Sequence, residues 1–136
     1  MRLLVDTGIF VGFLNDEPNA DFSGRLLEKI QDGKMEGFIS TITIAEIFSI
    51  YHRVSERRTM QAKAYIESVI GDENIMPVFK EVSELAGKVK ATHKVSLGDA
   101  VIIATAAILG CDYLVTLDRE IKAVDLVKAR EPKELT

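Results

Sequence analysis

Four carboxylates have positions that suggest chemistry, because each follows a predicted strand or opens a predicted helix: Asp6, Glu46, Asp99 and Asp118. In open α/β sheets, such positions meet outside the carboxyl ends of the strands. Four negative charges gathered there would repel one another unless a divalent cation neutralised them, and all-oxygen ligands suit Mg²⁺ or Mn²⁺ rather than zinc. One or two such ions can activate water and stabilise the oxygens of a phosphodiester displacement.

Each acid also has an ordinary structural explanation. Thr43 and Ser96 stand three residues before Glu46 and Asp99, which is the pattern of a capping box, so both acids could simply satisfy a helix start. The other two acids could form turns after their strands. The position of all four at element ends on one edge of the predicted sheet favours a shared site.

The element that would hold Asp99 is residues 96–109, which carries no charge after that acid and is apolar on nearly every side. This pattern predicts a core helix surrounded by protein. The stretch is too short to cross a bilayer. We expect Ser96 to cap the helix start, which leaves the Asp99 carboxylate to bind an ion.

The rest of the chain alternates strand and helix signals, and residues 7–8 are expected to turn the chain after the first strand. Predicted strands are short apolar runs, at residues 3–5, 37–40, 75–79, 113–116 and 124–127. Predicted helices lie between them, at residues 22–30, 44–51, 60–70, 82–89 and 96–109. This alternation predicts one domain, residues 1–136, with a three-layer α/β/α fold and a mostly parallel central sheet.

Composition restricts the class of protein. The chain has 136 residues, 47% of them apolar and 28% charged, which is typical of a globular domain without a membrane span. The first residues are too quickly charged for a secretory signal, so we expect a cytoplasmic protein. The single cysteine, Cys111, excludes an internal disulfide and is expected to be a small buried residue. A net charge of -4 argues against a generally basic, nucleic-acid-coating surface.

The four acids lie in four sequence stretches, at residues 5–7, 40–46, 97–106 and 114–118. In this order the stretches resemble the PIN-domain ribonucleases, and within them the VapC toxins of prokaryotic toxin–antitoxin pairs. The resemblance covers nearly the whole chain. Two positions depart from the usual pattern: Gly8 stands where a polar residue is common, and Ile121 where an aromatic residue often follows the fourth acid. Neither departure removes an acid.

The resemblance implies a Mg²⁺- or Mn²⁺-dependent endoribonuclease that hydrolyses phosphodiesters in single-stranded regions of RNA. It implies that Asp6, Glu46 and Asp99 are the core metal ligands and that Asp118 is the fourth acid. Thr116 would support the site through a hydrogen bond, and we also assign a supporting role to Thr7. The resemblance further implies a homodimer and an antitoxin protein whose arm covers the site.

Two basic clusters could hold RNA phosphates, although we favour solvated helix faces as the explanation of both. The first contains Arg53, Arg57 and Arg58, with His52 and Lys63 nearby, and the second contains Lys88, Lys90, His93 and Lys94. Both histidines are expected to be surface residues. A group of apolar side chains could serve a partner but more simply packs in the core: Phe10, Phe13, Leu14 and Tyr51.

Three other functions compete with a toxin. A housekeeping RNA-processing nuclease of the same fold would carry the same acids. A phosphotransfer domain would use Asp6 as the phosphate acceptor, but the Asp6-Thr7-Gly8 start lacks the further acid that such sites need. A non-catalytic interaction module would keep the fold and bind no metal.

Overall fold

Five short strands form one all-parallel sheet: β1 (Arg2–Val5), β2 (Glu36–Ser40), β3 (Ile75–Met76), β4 (Tyr113–Val115) and β5 (Ala129–Arg130). The computed structural model describes residues 1–136. The strand order is β3-β2-β1-β4-β5, so β1 lies at the centre. In the register of the sheet, Leu3 of β1 pairs with Gly37 of β2 on one side and with Tyr113 of β4 on the other.

Seven helices surround the sheet: α1 (Thr7–Leu14), α2 (Ala20–Gln31), α3 (Thr41–Tyr51), α4 (Glu56–Ile70), α5 (Lys80–Thr92), α6 (Leu97–Leu109) and α7 (Arg119–Lys122). Two short 3₁₀ segments complete the chain, at Asp72–Asn74 and Pro132–Leu135. None of the helices combines the length and the apolar character needed to cross a membrane.

The sheet separates two hydrophobic cores of 15 buried residues each. Successive side chains of β1 point to opposite faces, so Leu3 and Val5 pack with α1 to α4 whereas Leu4 packs with α5 and α6. α6 contributes an unbroken run of buried residues from Ala100 to Ala106. The predicted three-layer α/β/α fold and the buried core helix are confirmed.

Three predictions about turns and strand positions were wrong. Residues 7–8 do not turn the chain but begin α1, because Ile9 and Phe10 gain full burial there despite the low helix propensity of the neighbouring glycines. The third strand stops at Met76, since Pro77 has no N–H to continue the ladder. The last strand is Ala129–Arg130 and not residues 124–127, because Val124 is buried in the second core beside α7.

The strand order reverses direction between β1 and β4, which are neighbours in the sheet although most of the chain separates them. The carboxyl ends of these two strands therefore form a topological switch point, the usual place for a site in a parallel sheet. Asp6 and Thr116 are the residues that directly follow the two strands.

Candidate active site

Asp6 is fixed at the centre of this edge. Its backbone N–H continues the ladder by donating to the carbonyl of Val115 at 3.0 Å. The hydroxyl of Thr116 donates to Asp6 Oδ2 at 2.8 Å and accepts the backbone N–H of Asp118 at 3.0 Å. Asp6 is only 7% exposed. Thr116 therefore joins the first and the fourth predicted acids, the supporting position assigned to it from the sequence.

Glu46 lies in the second turn of α3, whereas the sequence placed it in the first turn. The helix begins at Thr41, and Ser40 is its cap, with Oγ accepting the N–H of Ile42 at 3.1 Å. Ser40 precedes Thr43 and ends a buried strand, so the helix starts earlier than the capping-box pattern indicated. Glu46 consequently has no capping role.

The Glu46 carboxylate is held between α1 and α6. Thr7 Oγ1 donates to Glu46 Oε1 at 2.7 Å and lies 2.9 Å from the hydroxyl oxygen of Thr43. On the other side, a Cβ atom at Gly98 would lie 2.9 Å from Glu46 Oε2. The absence of a side chain at Gly98 lets this carboxylate approach the first turn of α6, where Asp99 stands.

Asp99 lies in that first turn of α6. The Ser96 hydroxyl accepts the backbone N–H of Asp99 at 3.1 Å, which confirms Ser96 as the cap. The reciprocal half of a capping box, a bond from the backbone N–H of Ser96 to the Asp99 carboxylate, is absent. The carboxylate is thus not used to cap the start of the helix, and Asp99 is half-buried.

Asp118 both lies at the site and shapes the following turn. Its Oδ1 accepts the backbone N–H groups of Glu120 at 2.7 Å and Ile121 at 3.4 Å, so it caps α7. The turn-forming role considered for this residue is therefore present. Its second carboxylate oxygen makes no hydrogen bond within the chain. Ile121, at the position of the expected aromatic residue, is fully buried in the second core.

The four carboxylates are close enough to share one electrostatic field. Burial, opposed in part by the Thr116 hydrogen bond and reinforced by the charges of Asp99, Glu46 and Asp118, raises the pKa of Asp6 from 3.8 to about 7. Burial also raises the pKa of Asp99, with Asp118, Glu46 and Glu120 adding to the effect and Ser96 opposing it. No lysine or arginine forms an ion pair with any of the four acids.

The donor set fits a hard divalent cation in kind and in place. All four candidate ligands are carboxylates, whose oxygens Mg²⁺ and Mn²⁺ prefer, and they follow β1 and β4 or lie in the first two turns of α3 and α6. No group of three or more Asp, Glu, His or Cys side chains is gathered tightly enough to form a ready coordination shell. Mutual repulsion among like charges opposes such a gathering.

The two basic clusters lie differently with respect to the acids. Arg53, Arg57 and Arg58 follow α3 and open α4, and the Arg58 guanidinium lies 5.7 Å from the ring centroid of Tyr51. None of these arginines pairs with a site acid, and their contact with RNA stays a prediction. Lys94 of the second cluster lies 3.8 Å from Glu120, whose charge acts on Asp99.

The remaining side chains singled out from the sequence are structural. Phe10 and Tyr51 are buried in the first core, and Phe13 and Leu14 pack against it. Cys111 is half-buried and not buried as expected, and partial burial raises the pKa of its thiol to about 11.

Sequence reasoning missed Thr43 and Gly98 as contributors to the setting of Glu46. Thr43 stands one helical turn before Glu46, and this i, i+3 spacing on one helix face was the signal available in the sequence.

The family model for the PIN domain matches residues 3–127. This chain belongs to the PIN domain family. The sequence resemblance to PIN-domain proteins is therefore confirmed. No curated protein sequence matches the chain.

Solved structures of toxin–antitoxin PIN proteins share the fold. The VapBC2 complex of Rickettsia felis, bound to a promoter DNA fragment, matches with a TM-score of 0.74 at 18% identity, over 96% of this chain and 98% of that one. FitAcB from Neisseria gonorrhoeae gives 0.75 at 18% identity, over 96% and 98%. Mycobacterium tuberculosis VapC20, a sarcin–ricin loop cleaving toxin, gives 0.73 at 18% identity, over 94% and 98%.

Proposed function

We propose that the protein is a Mg²⁺- or Mn²⁺-dependent endoribonuclease. The observation that carries this proposal is the meeting of four acids at the switch point with no cationic side chain to neutralise them. The charges of Glu46, Asp99 and Asp118 act on the buried Asp6 carboxylate, which is unfavourable without a cationic partner, and a divalent ion would remove this penalty. Membership of the PIN family and the fold shared with an RNA-cleaving toxin support the same reaction class.

In this proposal Asp6, Glu46, Asp99 and Asp118 hold one or two ions. A divalent ion bound there supplies charge stabilisation for the phosphodiester displacement and acidifies water. The chain's own contribution is orientation: Thr116 fixes one oxygen of Asp6, and Thr7 fixes one oxygen of Glu46. The first turn of α6, capped by Ser96, fixes the position of Asp99 relative to Asp6 and Glu46.

Metal dependence is tested by measuring cleavage of single-stranded RNA with Mg²⁺, with Mn²⁺ and with EDTA, together with Mn²⁺ binding by titration calorimetry. We expect cleavage with either ion, none with EDTA, and measurable Mn²⁺ binding. Cleavage that persists in EDTA contradicts the proposal. Absence of both metal binding and cleavage identifies a non-catalytic interaction module, and an acid-stable phosphoryl label on Asp6 identifies phosphotransfer.

We further propose that the nuclease is the toxin of a toxin–antitoxin pair. The support is the match, over nearly the whole chain, to structures such as a toxin–antitoxin complex from Klebsiella pneumoniae. The proposal includes a homodimer, RNA as the substrate, action in the cytoplasm and an antitoxin that covers the acidic edge.

The toxin role is tested by inducing the protein in bacteria with and without the gene beside its own. Growth arrest that the neighbouring gene relieves supports a toxin, whereas normal growth with active RNA cleavage supports a housekeeping RNA-processing nuclease. Light scattering on the purified protein measures whether it is a homodimer.

A further inference from the structure

The hydroxyl of Thr43 has a different kind of hydrogen-bond partner from three other threonines that lie in helices. Thr59, Thr92 and Thr105 each donate their hydroxyl hydrogen to the carbonyl four residues earlier, at 3.0, 2.9 and 2.7 Å. This is the usual bond for a threonine inside a helix. Thr43 is fully buried and is the third residue of α3, so the residue four positions earlier lies in β2, and the Thr43 hydroxyl instead lies 2.9 Å from Thr7 Oγ1. Its side chain is therefore directed at another element.

The direction of this hydrogen bond follows from counting hydrogens. A hydroxyl carries one hydrogen, and Thr7 uses its hydrogen on Glu46 Oε1 at 2.7 Å. Thr43 must then donate to Thr7. The two hydroxyls form a one-way chain that runs from Thr43 through Thr7 to the Glu46 carboxylate.

We propose that Thr43 is a positioning residue for Glu46. By filling the acceptor site of Thr7, its hydroxyl fixes the direction in which Thr7 donates, and donation along such a chain strengthens the final bond. Thr43 also ties α3 to the start of α1, because Thr7 and Thr43 are both almost fully buried. This inference rests on the proposed metal-dependent function, in which Glu46 is a ligand.

The chain offers a matched set of variants. Thr43→Val removes the hydroxyl and keeps the shape, and Thr43→Ser keeps the hydroxyl. Thr105→Val is the control, because Thr105 is equally buried but donates only to the Val101 carbonyl within α6.

We expect Thr43→Val to weaken Mn²⁺ binding about fivefold to tenfold, at the lower end of effects seen for groups that orient metal ligands. Thr43→Ser should restore wild-type affinity, and Thr105→Val should leave it unchanged, with all variants folded by circular dichroism. Equal affinities in wild type and Thr43→Val overturn the proposal. So does an equal loss in Thr105→Val, or failure of serine to restore binding.

A second measurement on the metal-free protein separates this inference from the proposed function. The exchange of the Thr7 hydroxyl proton with water is followed by NMR in wild type and Thr43→Val, with the Thr105 hydroxyl proton as the internal reference. We expect the Thr7 hydroxyl proton to exchange faster in Thr43→Val than in the wild type, and the Thr105 hydroxyl proton to exchange at the same rate in both. Unchanged exchange overturns the positioning role. Absence of Mn²⁺ binding in the wild type overturns the proposed function and leaves the hydroxyl chain to be decided by exchange.

Discussion

The sheet carries acids at both ends of its strands. The end where the strands begin, here called the amino edge, and the end where they finish, the carboxyl edge, surround these acids with different groups. At the amino edge, the backbone N–H of Arg2 donates to Asp112 at 2.7 Å, and its guanidinium pairs with Glu36 at 3.1 Å. The same guanidinium donates to the carbonyl of Leu109 at 3.0 Å and lies 4.9 Å from the ring centroid of Phe38. One arginine thus satisfies the acids of this edge.

At the carboxyl edge Asp6, Glu46 and Asp118 receive hydrogen bonds from hydroxyls or backbone N–H groups, and none of the four acids is paired with a cation. Asp6 is the most buried of them. A carboxylate placed for stability is paired with a positive charge when it is buried, as unpaired burial is costly. The difference between the edges indicates that the amino edge stabilises the fold and that the carboxyl edge carries a stability cost tied to binding.

The largest expected effect is on the rate of RNA cleavage, which a substitution at the carboxyl edge should lower and one at the amino edge should not. Asp99→Asn should lower the rate of metal-dependent RNA cleavage at least about 100-fold, because loss of a ligand exceeds the effect of losing a group that orients one. Asp112→Asn, at the amino edge, should leave the rate unchanged. The measurement is single-turnover cleavage at saturating Mn²⁺. Equal losses in the two variants would erase the functional distinction between the edges.

The next effect concerns stability without metal. The pKa of Asp6 is about 7 in the folded protein and 3.8 ordinarily, so the folded state keeps a proton that the unfolded chain releases between these values. The free energy of unfolding should therefore fall as pH rises from 4 to 7. Asp6→Asn removes this cost and should stabilise the protein by about 2 kcal/mol at pH 7 in EDTA. Urea denaturation at pH 4.5 and pH 7.5 checks the sign, and a destabilised Asp6→Asn protein would contradict it.

A smaller effect tests the close approach of α3 to α6. Gly98→Ala places a Cβ 2.9 Å from Glu46 Oε2, so the flexible carboxylate must move and Mn²⁺ affinity should fall about threefold to tenfold. Folding stability should not fall, because alanine is the better helix former.

Gly87→Ala is the matched control, because no atom lies within 4 Å of its added Cβ. It should gain roughly 0.5–1 kcal/mol of stability and leave Mn²⁺ affinity unchanged. Calorimetry on both variants makes the comparison, and a loss of affinity in Gly87→Ala would assign the effect to general helix changes.

The smallest effect lies at the amino edge. Arg2→Met should destabilise the fold by about 1 kcal/mol, since a half-exposed ion pair, one carbonyl hydrogen bond and one cation–π contact are lost. Mn²⁺ affinity should not change. Thermal denaturation and calorimetry measure the two quantities, and a change in affinity would show that the edges are coupled.

Local signals were sufficient for the parts of the site that depend on one element. The uniform burial of α6 and the Ser96 cap can be predicted from consecutive residues. The positions of the acids that follow strands can be predicted from the order of the strands. The start of α3 was misplaced because Ser40 and Thr43 are both good caps, and only the length of β2 decides between them.

Contacts between distant elements could not be predicted. Thr7 and Thr43 are 36 residues apart, and their hydroxyls meet only because α1 and α3 leave neighbouring strands at the same edge. The approach of Glu46 to Gly98 likewise joins helices associated with opposite cores. Such distances depend on the packing of the whole sheet and leave no mark in the local sequence.

The pairing of β1 with β4 also sets when the acidic edge can form during synthesis. Asp6 and Thr116 are 110 residues apart, so the first acid waits for its hydrogen-bond donor until most of the chain has been made. At about 5–20 residues per second, translation alone imposes a delay of roughly 6–20 s between the two. A nascent chain therefore carries Asp6 without the strand beside it until β4 has been made, and the carboxyl edge becomes complete only after that point.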